Sequence, residues 1–380
     1  MQGSAFDDHF EFTIGGYFFR EEGTETATSA QFPDIMPPAS APAAAKTASN
    51  IGFGRSDTYA AYGAGSLAIT DTLKFSDGIR WTRDNRLARV SSVTTTGNCR
   101  LQTNAGAPLP NSFDCELTNE VSSSAVTWDA TIQYEPGDAT NIYAAIRQGY
   151  RAGGFNLRAR NPAQLTPFAP EYVREYEIGG KRRWSIGAAT LSTNVAVFLQ
   201  DYTNIQTSTV ALVDGRLVGV VSNTASQKNY GVEMEAAWQL GGFTAGAYYS
   251  YVDITDVQGS AGDFRLRGIP HHTAGLNGRY AHELENGLGE LAVSGSIAYR
   301  SPFPLDDFDV SSRQDGYALA DARIDWNDIG GSRISAGIYV KNLTNKLYRI
   351  GETSLLDSVG LTSTVYGEPR TWGAVVGFRF

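Results

Sequence analysis

Arg370-Thr-Trp-Gly-Ala-Val-Val-Gly-Phe-Arg-Phe380 closes the chain, and it alternates. Trp372, Ala374, Val376, Phe378 and Phe380 fall on one face; Thr371, Gly373, Val375, Gly377 and Arg379 fall on the other. Successive side chains of a strand point to opposite sides, so the stretch reads as a strand with one greasy, aromatic-ended face and one small or polar face.

The same beat recurs upstream. Val126, Trp128, Ala130, Ile132 and Tyr134 oppose Thr127, Asp129, Thr131, Gln133 and Glu135. Tyr230, Val232, Met234, Ala236 and Trp238 oppose Gly231, Glu233, Glu235 and Ala237; Ala318, Ala320, Ala322, Ile324 and Trp326 oppose Asp321, Arg323 and Asp325. About fourteen strands are predicted, near 8–20, 57–70, 73–90, 122–135, 140–152, 172–184, 187–205, 227–240, 243–254, 272–284, 289–301, 317–327, 332–344 and 370–380. Short turns such as Thr70-Asp71 and Pro136-Gly137-Asp138 alternate with long polar segments at 22–56, 91–121, 153–171, 206–226, 255–271, 302–316 and 345–369. A soluble sandwich has no reason to put every long loop at one end, whereas a membrane barrel does so. Counting back, Phe380 lies at the short-turn end. The segment 22–56, with Pro33, Pro37, Pro38 and Pro42, reads as mobile or extended rather than packed.

Composition agrees. The 380 residues include Gly 41, Tyr 19, Phe 18 and Trp 6, with 42% hydrophobic residues. Mean hydropathy is -0.25. No run approaches the roughly 18 apolar residues of a transmembrane helix. A barrel keeps near-neutral hydropathy because only every second residue meets lipid. The net charge of -9, with no Lys/Arg block, argues against a nucleic-acid partner. The first residues, Met-Gln-Gly-Ser-Ala-Phe-Asp-Asp, show no basic region followed by an apolar run, so no secretion signal is read there.

The apolar stripes end in aromatics: Trp128 and Tyr134, Tyr230 and Trp238, Tyr317 and Trp326, Trp372 and Phe380. Paired girdles of this kind mark the two membrane interfaces. The opposite face, with Asp129, Glu233, Glu235, Asp321, Arg323 and Lys341, is too charged for a dry core and predicts a hydrated lumen. Asp77 falls on the lipid face; either it sits near the interface or the register shifts at Gly78.

Candidate site residues are few. Arg147, Arg151, Arg158 and Arg160 cluster at and beyond one strand end, with Arg147 and Arg151 facing inward beside Tyr143. Guanidinium groups there could grip an anionic ligand; the alternative is salt bridges to lumen carboxylates or to a plug. Cys99 and Cys115, in a polar stretch, fit a disulfide worth roughly 3 kcal/mol in the chain-entropy treatment, or two separate thiols. No metal site is predicted: no His or third Cys lies nearby, and His271-His272 on a strand would point to opposite faces. Gly149-Tyr-Arg-Ala-Gly-Gly154 lacks the ending of a phosphate loop, and no nucleophile elbow occurs, so an enzyme is not expected.

Several segments in order resemble the TonB-dependent outer-membrane receptors. They are Asp71–Thr82, Tyr143-Ala-Ala-Ile-Arg-Gln-Gly-Tyr-Arg-Ala-Gly-Gly-Phe-Asn156, Glu171-Tyr-Val-Arg-Glu-Tyr-Glu-Ile-Gly-Gly-Lys181, Phe198–Gln206, Asn229-Tyr-Gly-Val-Glu-Met-Glu235, Gly268–Thr273, Lys341-Asn-Leu-Thr-Asn-Lys-Leu-Tyr348 and Pro369–Phe380. The resemblance implies an all-β, antiparallel transmembrane β-barrel, with residues 1–380 similar to the last fourteen strands of a barrel of about 22. The family's plug, TonB box and signal peptide have no counterpart here, so a partial barrel domain without a plug is expected. The implied location is the outer membrane of a Gram-negative bacterium. The implied function is TonB-energised uptake of a scarce nutrient, a ferric siderophore or similar iron complex, with no cofactor. Implied partners are outer-membrane lipid, TonB only through a plug, the barrel-assembly machinery through Phe380, and a small-molecule ligand that the loops do not name. The alternatives are a passive porin-like channel, closed by pairing 8–20 with 370–380, and a nonfunctional receptor remnant.

Overall fold

The computed structural model describes residues 1–7, 9–30, 47–94, 97–107, 109, 114–213, 216–258, 266–307, 309, 311–355 and 360–379. In chain order the strands are β1 (Gln2–Ala5), β2 (Phe10–Ala30), β3 (Thr47–Thr70), β4 (Leu73–Thr94), β5 (Leu117–Gly137), β6 (Thr140–Arg151), β7 (Glu171–Ile186), β8 (Ala189–Val213), β9 (Arg216–Leu240) and β10 (Phe243–Gln258). They continue with β11 (His272–Glu283), β12 (Glu290–Arg300), β13 (Phe303–Pro304), β14 (Arg313–Gln314), β15 (Tyr317–Asn327), β16 (Ile334–Lys341), β17 (Arg349–Leu355), β18 (Leu361–Tyr366) and β19 (Thr371–Phe378). Fifteen of them form one antiparallel sheet in sequence order; β13–β14 and β17–β18 are separate hairpins inside long loops. All fourteen expected strands are present, and β1 is an addition.

Within this sheet each strand pairs with the sheet strand that follows it in the chain, with the hairpins β13–β14 and β17–β18 looped out between β12 and β15 and between β16 and β19. Strand β2 lies between β1 and β3, so the pairing of 8–20 with 370–380 that the porin-like alternative requires is not made. Among the described residues β1 pairs with β2 alone and β19 with β16 alone, which leaves two sheet edges. Phe380 lies outside the described residues, as do Pro33, Pro37, Pro38 and Pro42.

Two expected loops are shorter than predicted. Strands β2 and β3 stay paired from Phe10↔Leu67 to Ala30↔Thr47, through most of 22–56. Strands β8 and β9 pair as far as Val213↔Arg216, so 206–226 is mainly a projecting hairpin. Its sequence, Gln206-Thr-Ser-Thr-Val-Ala-Leu-Val213 before Asp214-Gly215, is strand-forming residues followed by a hairpin-turn pair. Its apolar residues, Val210–Val213 and Leu217–Val221, are consecutive rather than alternating, and that is why alternation failed to find it.

Register gives the sheet two unlike faces. All six tryptophans, Trp81, Trp128, Trp184, Trp238, Trp326 and Trp372, share the outward face. Leu73–Trp81, Tyr230–Trp238 and Leu291–Tyr299 each bracket an outward apolar band across eight residue steps. At ~3.3 Å per residue and ~40° tilt that is about 20 Å of height, close to the apolar band of a membrane barrel. Tyr317 does not belong to the girdle. Its position opposite Arg300 turns it inward, where it is buried against Phe303 and Tyr348; Tyr299 takes the outward place opposite Ala318. Asp77 lies outward and exposed near the short-turn end; the ladder runs unbroken through Gly78, which excludes the register shift there.

The inward face is polar and studded with glycines beneath aromatic rings. Gly15, Gly179, Gly231, Gly275 and Gly373 lie directly across from Tyr62, Tyr143, Phe198, Tyr248 and Tyr339. A Cβ added at any of the five would come within 2.3–2.7 Å of the facing side chain or, at Gly231, of a neighbouring carbonyl. Buried apolar clusters sit at the long-loop end: Ala88, Val90, Ala159 and Leu165; Ile205 and Ala225; Phe303, Leu305 and Tyr317.

Candidate functional site

The structure distributes the candidate residues, from Tyr143 near the short turn that opens β6 to Arg151 and the segment beyond it at the long-loop end. Tyr143 and Arg147 are on the inward face of β6. Arg147 stands between Asp129 and Glu175 in the ladder, and its guanidinium donates to Glu175 Oε1 at 2.5 Å and Glu177 Oε1 at 3.3 Å. Glu175 also accepts from Gln200 Nε2 at 2.7 Å. Arg151, the last residue of β6, is exposed and faces Glu171 in register. Arg158 donates to Glu25 on β2. Arg160 is buried; its carbonyl accepts from Gln102 N at 2.9 Å and its N–H donates to Gln164 Oε1 at 2.8 Å. The four arginines therefore occupy the wall, the rim and the inside of a loop rather than one pocket. Cys99 and Cys115 are joined as a disulfide, with Cα atoms 5.5 Å apart.

The segment 152–170 between β6 and β7 builds the mouth. Phe155 and Leu157 pack, as Leu117 does, against the buried cluster of Ala88, Val90, Ala159 and Leu165, burying apolar area that a free loop would expose. Gly52 makes room, since a Cβ there would meet Leu157 Cβ at 2.6 Å. Asn156 completes a strand-like pair with β9: its Nδ2 donates to Val221 O at 3.1 Å and its Oδ1 accepts from Val221 N at 2.8 Å. Asn223 repeats the device with Ala169, at 2.9 and 2.7 Å. Gln206 Nε2 donates to the carbonyls of Ala152 and Ala169, and Asn119 Nδ2 to Leu165 O.

These four fastening residues carry no local sequence signal, because each acts on backbone far away in the chain. Only the turn at Asn161-Pro162 carried a local signal; Asn161 Oδ1 accepts from Gln164 N at 2.9 Å.

Two spaces result. A cavity of about 330 Å³ lies between this segment and the β9 extension, lined by Asn156, Arg158, Phe168, Val221 and Asn223 among others. A polar groove of about 490 Å³ runs along the inward face of β10–β16, past Asn277, Arg279, Ser296, Asp321, Arg323 and Tyr339. Its charges are locally matched, Arg279 with Glu290 at 2.7 Å and Arg323 with Asp325 at 2.6 Å. Among the described residues no group of three His, Cys, Asp or Glu side chains could hold a metal ion. The arrangement suits passage or retention of a polar solute along a wall that is wet on one side and apolar on the other.

Known proteins share this wall. Residues 2–343 match the family described as TonB dependent receptor-like, beta-barrel. The pesticin receptor of Yersinia pestis is 24% identical over 307 residues, 79% of this chain and 41% of the relative. The catecholate siderophore receptor Fiu of Escherichia coli K12 is 24% identical over 351 residues, 86% of this chain and 42% of the relative. The chain thus spans about two fifths of the length of these curated relatives. The crystal structure of the ferric yersiniabactin uptake receptor FyuA from Yersinia pestis superposes with a TM-score of 0.74 at 20% identity, covering 98% of this chain and 51% of that one. With the match extending over most of its length and the architecture shared, this chain belongs to the TonB-dependent receptor β-barrel family, a family of receptors rather than enzymes.

Proposed function

We propose that this chain forms wall and mouth of an outer-membrane receptor in a Gram-negative bacterium, serving TonB-energised uptake of a ferric siderophore or similar iron complex. The observation that carries this reading is the pairing of a lipid-suited outward face, bearing every tryptophan, with a mouth segment fastened onto a polar inner wall at one end. Relatives named as siderophore receptors supply the substrate class. In this reading Arg147 and Arg158 hold structure through their carboxylate partners, and exposed Arg151 meets an anionic chelate. TonB acts through a plug, which this reading places outside the barrel domain.

The test is calorimetric titration of the membrane-reconstituted protein with ferric catecholates and phenolates, followed by radiolabelled iron uptake in cells with and without TonB. Binding of one ferric chelate and TonB-dependent uptake are the expected results. Uptake indifferent to TonB would make the protein a passive channel. Failure of every ferric chelate to bind would sink the iron reading.

A further inference from the structure

The outward face changes character just above the aromatic level on β2–β5. Phe18, Tyr59 and Trp81 are exposed there, and Phe18 and Tyr59 lie 5.1 Å apart, centroid to centroid. The next positions on the same face are Arg20 on β2, Asp57 and Arg55 on β3, and Arg83 and Asn85 on β4. Arg20, Asp57 and Asn85 share one rung; Arg83 stands beside Tyr59 on the rung below. Glu22 faces Arg55 on the rung above, with Arg89 one rung further, over the ring of Phe53.

The way these arginines are held matters more than their number. Asp57 is buried, and it takes Arg20 and Arg55 by their Nε atoms, at 2.5 and 3.4 Å. Arg83 likewise uses Nε, toward Asn85 Oδ1 at 3.4 Å. Each guanidinium is thereby held through its inner nitrogen; the Arg20 and Arg55 side chains are 52% and 39% exposed and Arg83 is exposed. A guanidinium fork of this kind matches the oxygens of a phosphate group. On this face of β2–β4, Arg20, Arg55, Arg83 and Arg89 outnumber the carboxylates Asp57 and Glu22, so the surface above the aromatic rung is net cationic at the depth where lipid headgroups lie.

Resting on the membrane reading above, we propose that Arg20, Arg55 and Arg83 form a binding site on the outer wall for the phosphate groups of a phosphorylated outer-leaflet lipid. Phe18, Tyr59 and Trp81 seat the upper part of its acyl chains. The occupant is a lipid headgroup rather than free phosphate, because the site opens onto an apolar band.

The experiment compares wild type with an R20Q/R55Q/R83Q variant in detergent, titrated with diphosphoryl lipid A, monophosphoryl lipid A or phosphatidylcholine, and counts retained lipid by native mass spectrometry. Tryptophan quenching by acyl-brominated lipid is recorded on the same proteins reconstituted in vesicles. Wild type is expected to retain the diphosphoryl lipid best and phosphatidylcholine least. Loss of all three arginines is expected to weaken retention on the order of a hundredfold, since each basic group near a lipid surface contributes a factor of about five. A variant quenched like wild type that keeps the lipid equally well overturns the site and leaves the membrane reading intact. Absence of quenching in wild type overturns both. If the triple variant does not insert, R83Q alone decides the matter: a loss of several-fold supports the site and no loss overturns it. Inorganic phosphate displacing the lipid at millimolar concentration would overturn the lipid-specific assignment.

Discussion

At the scale of single residues, the inward glycines are spacing elements. Gly179 lies under Tyr143, where a Cβ would sit 2.5 Å from the ring, whereas neighbouring Gly180 faces outward with its nearest contact at 3.8 Å. Gly179→Val should therefore displace Tyr143 and cost about 1–3 kcal/mol as overpacking, while Gly180→Val should be nearly neutral. Denaturant unfolding in vesicles distinguishes the two. Asp307 and Asp309 make a second residue-scale pair, in the loop between β12 and β15. Burial pushes the Asp307 carboxyl above its ordinary 3.8, although its Oδ1 accepts from Arg267 N at 2.7 Å. A carboxyl raised in the folded state binds its proton more tightly there, so this loop loses stability as pH climbs from 3.8 through the raised value. Asp309 runs the other way: the Ser311 and Ser354 hydroxyls hold it below 3.8, and its contribution, full above 3.8, is lost as pH falls through the lowered value. Asp307→Asn keeps the accepting oxygen and removes the titration. Protection of the Arg267 amide, corrected for intrinsic exchange, should fall with rising pH in wild type above 3.8 and stay level in the variant.

At the scale of elements, the mouth segment 152–170 owes its position to side chains that imitate a strand partner. Asn156 makes both bonds of such a pair to Val221. Asn156→Ala should remove about 1–3 kcal/mol of local anchoring, two hydrogen bonds at ~0.5–1.5 kcal/mol each. The sheet should be unaffected, since no ladder passes through Asn156. Limited proteolysis is the measurement: cleavage within 152–170 should accelerate while the strands stay resistant. The disulfide Cys99–Cys115 acts at the same scale, closing the segment whose Gln102 holds the Arg160 carbonyl.

At the scale of the whole molecule, function depends on the two faces staying distinct. Leu276 and Asn277 are neighbours on β11, one outward and exposed, the other lining the inward groove. Leu276→Arg should cost about 2–4 kcal/mol if the outward face meets lipid, and Asn277→Arg close to nothing. Reversible unfolding from vesicles measures both; equal costs would contradict a lipid-facing wall. The edges at β1 and β19 belong to this scale too, since unpaired edge groups are not tolerated in hydrocarbon.

The period-two alternation by itself determined that the chain is an antiparallel barrel wall, which face is apolar, and which end carries the long loops. Those properties are local: a residue's face follows from its parity, and a turn follows from its own few residues. It misplaced Tyr317 by one residue of parity, and it read the hairpin 206–226 as loop because its apolar residues run consecutively instead of alternating. Only the tertiary structure decided that Arg147 is matched by Glu175 and Glu177, that Arg158 reaches β2, that Asn156 holds β9, and that Asp57 orients two arginines on the outer wall. Each of these joins residues on different strands or loops, and the register that brings them together is fixed by the sheet as a whole.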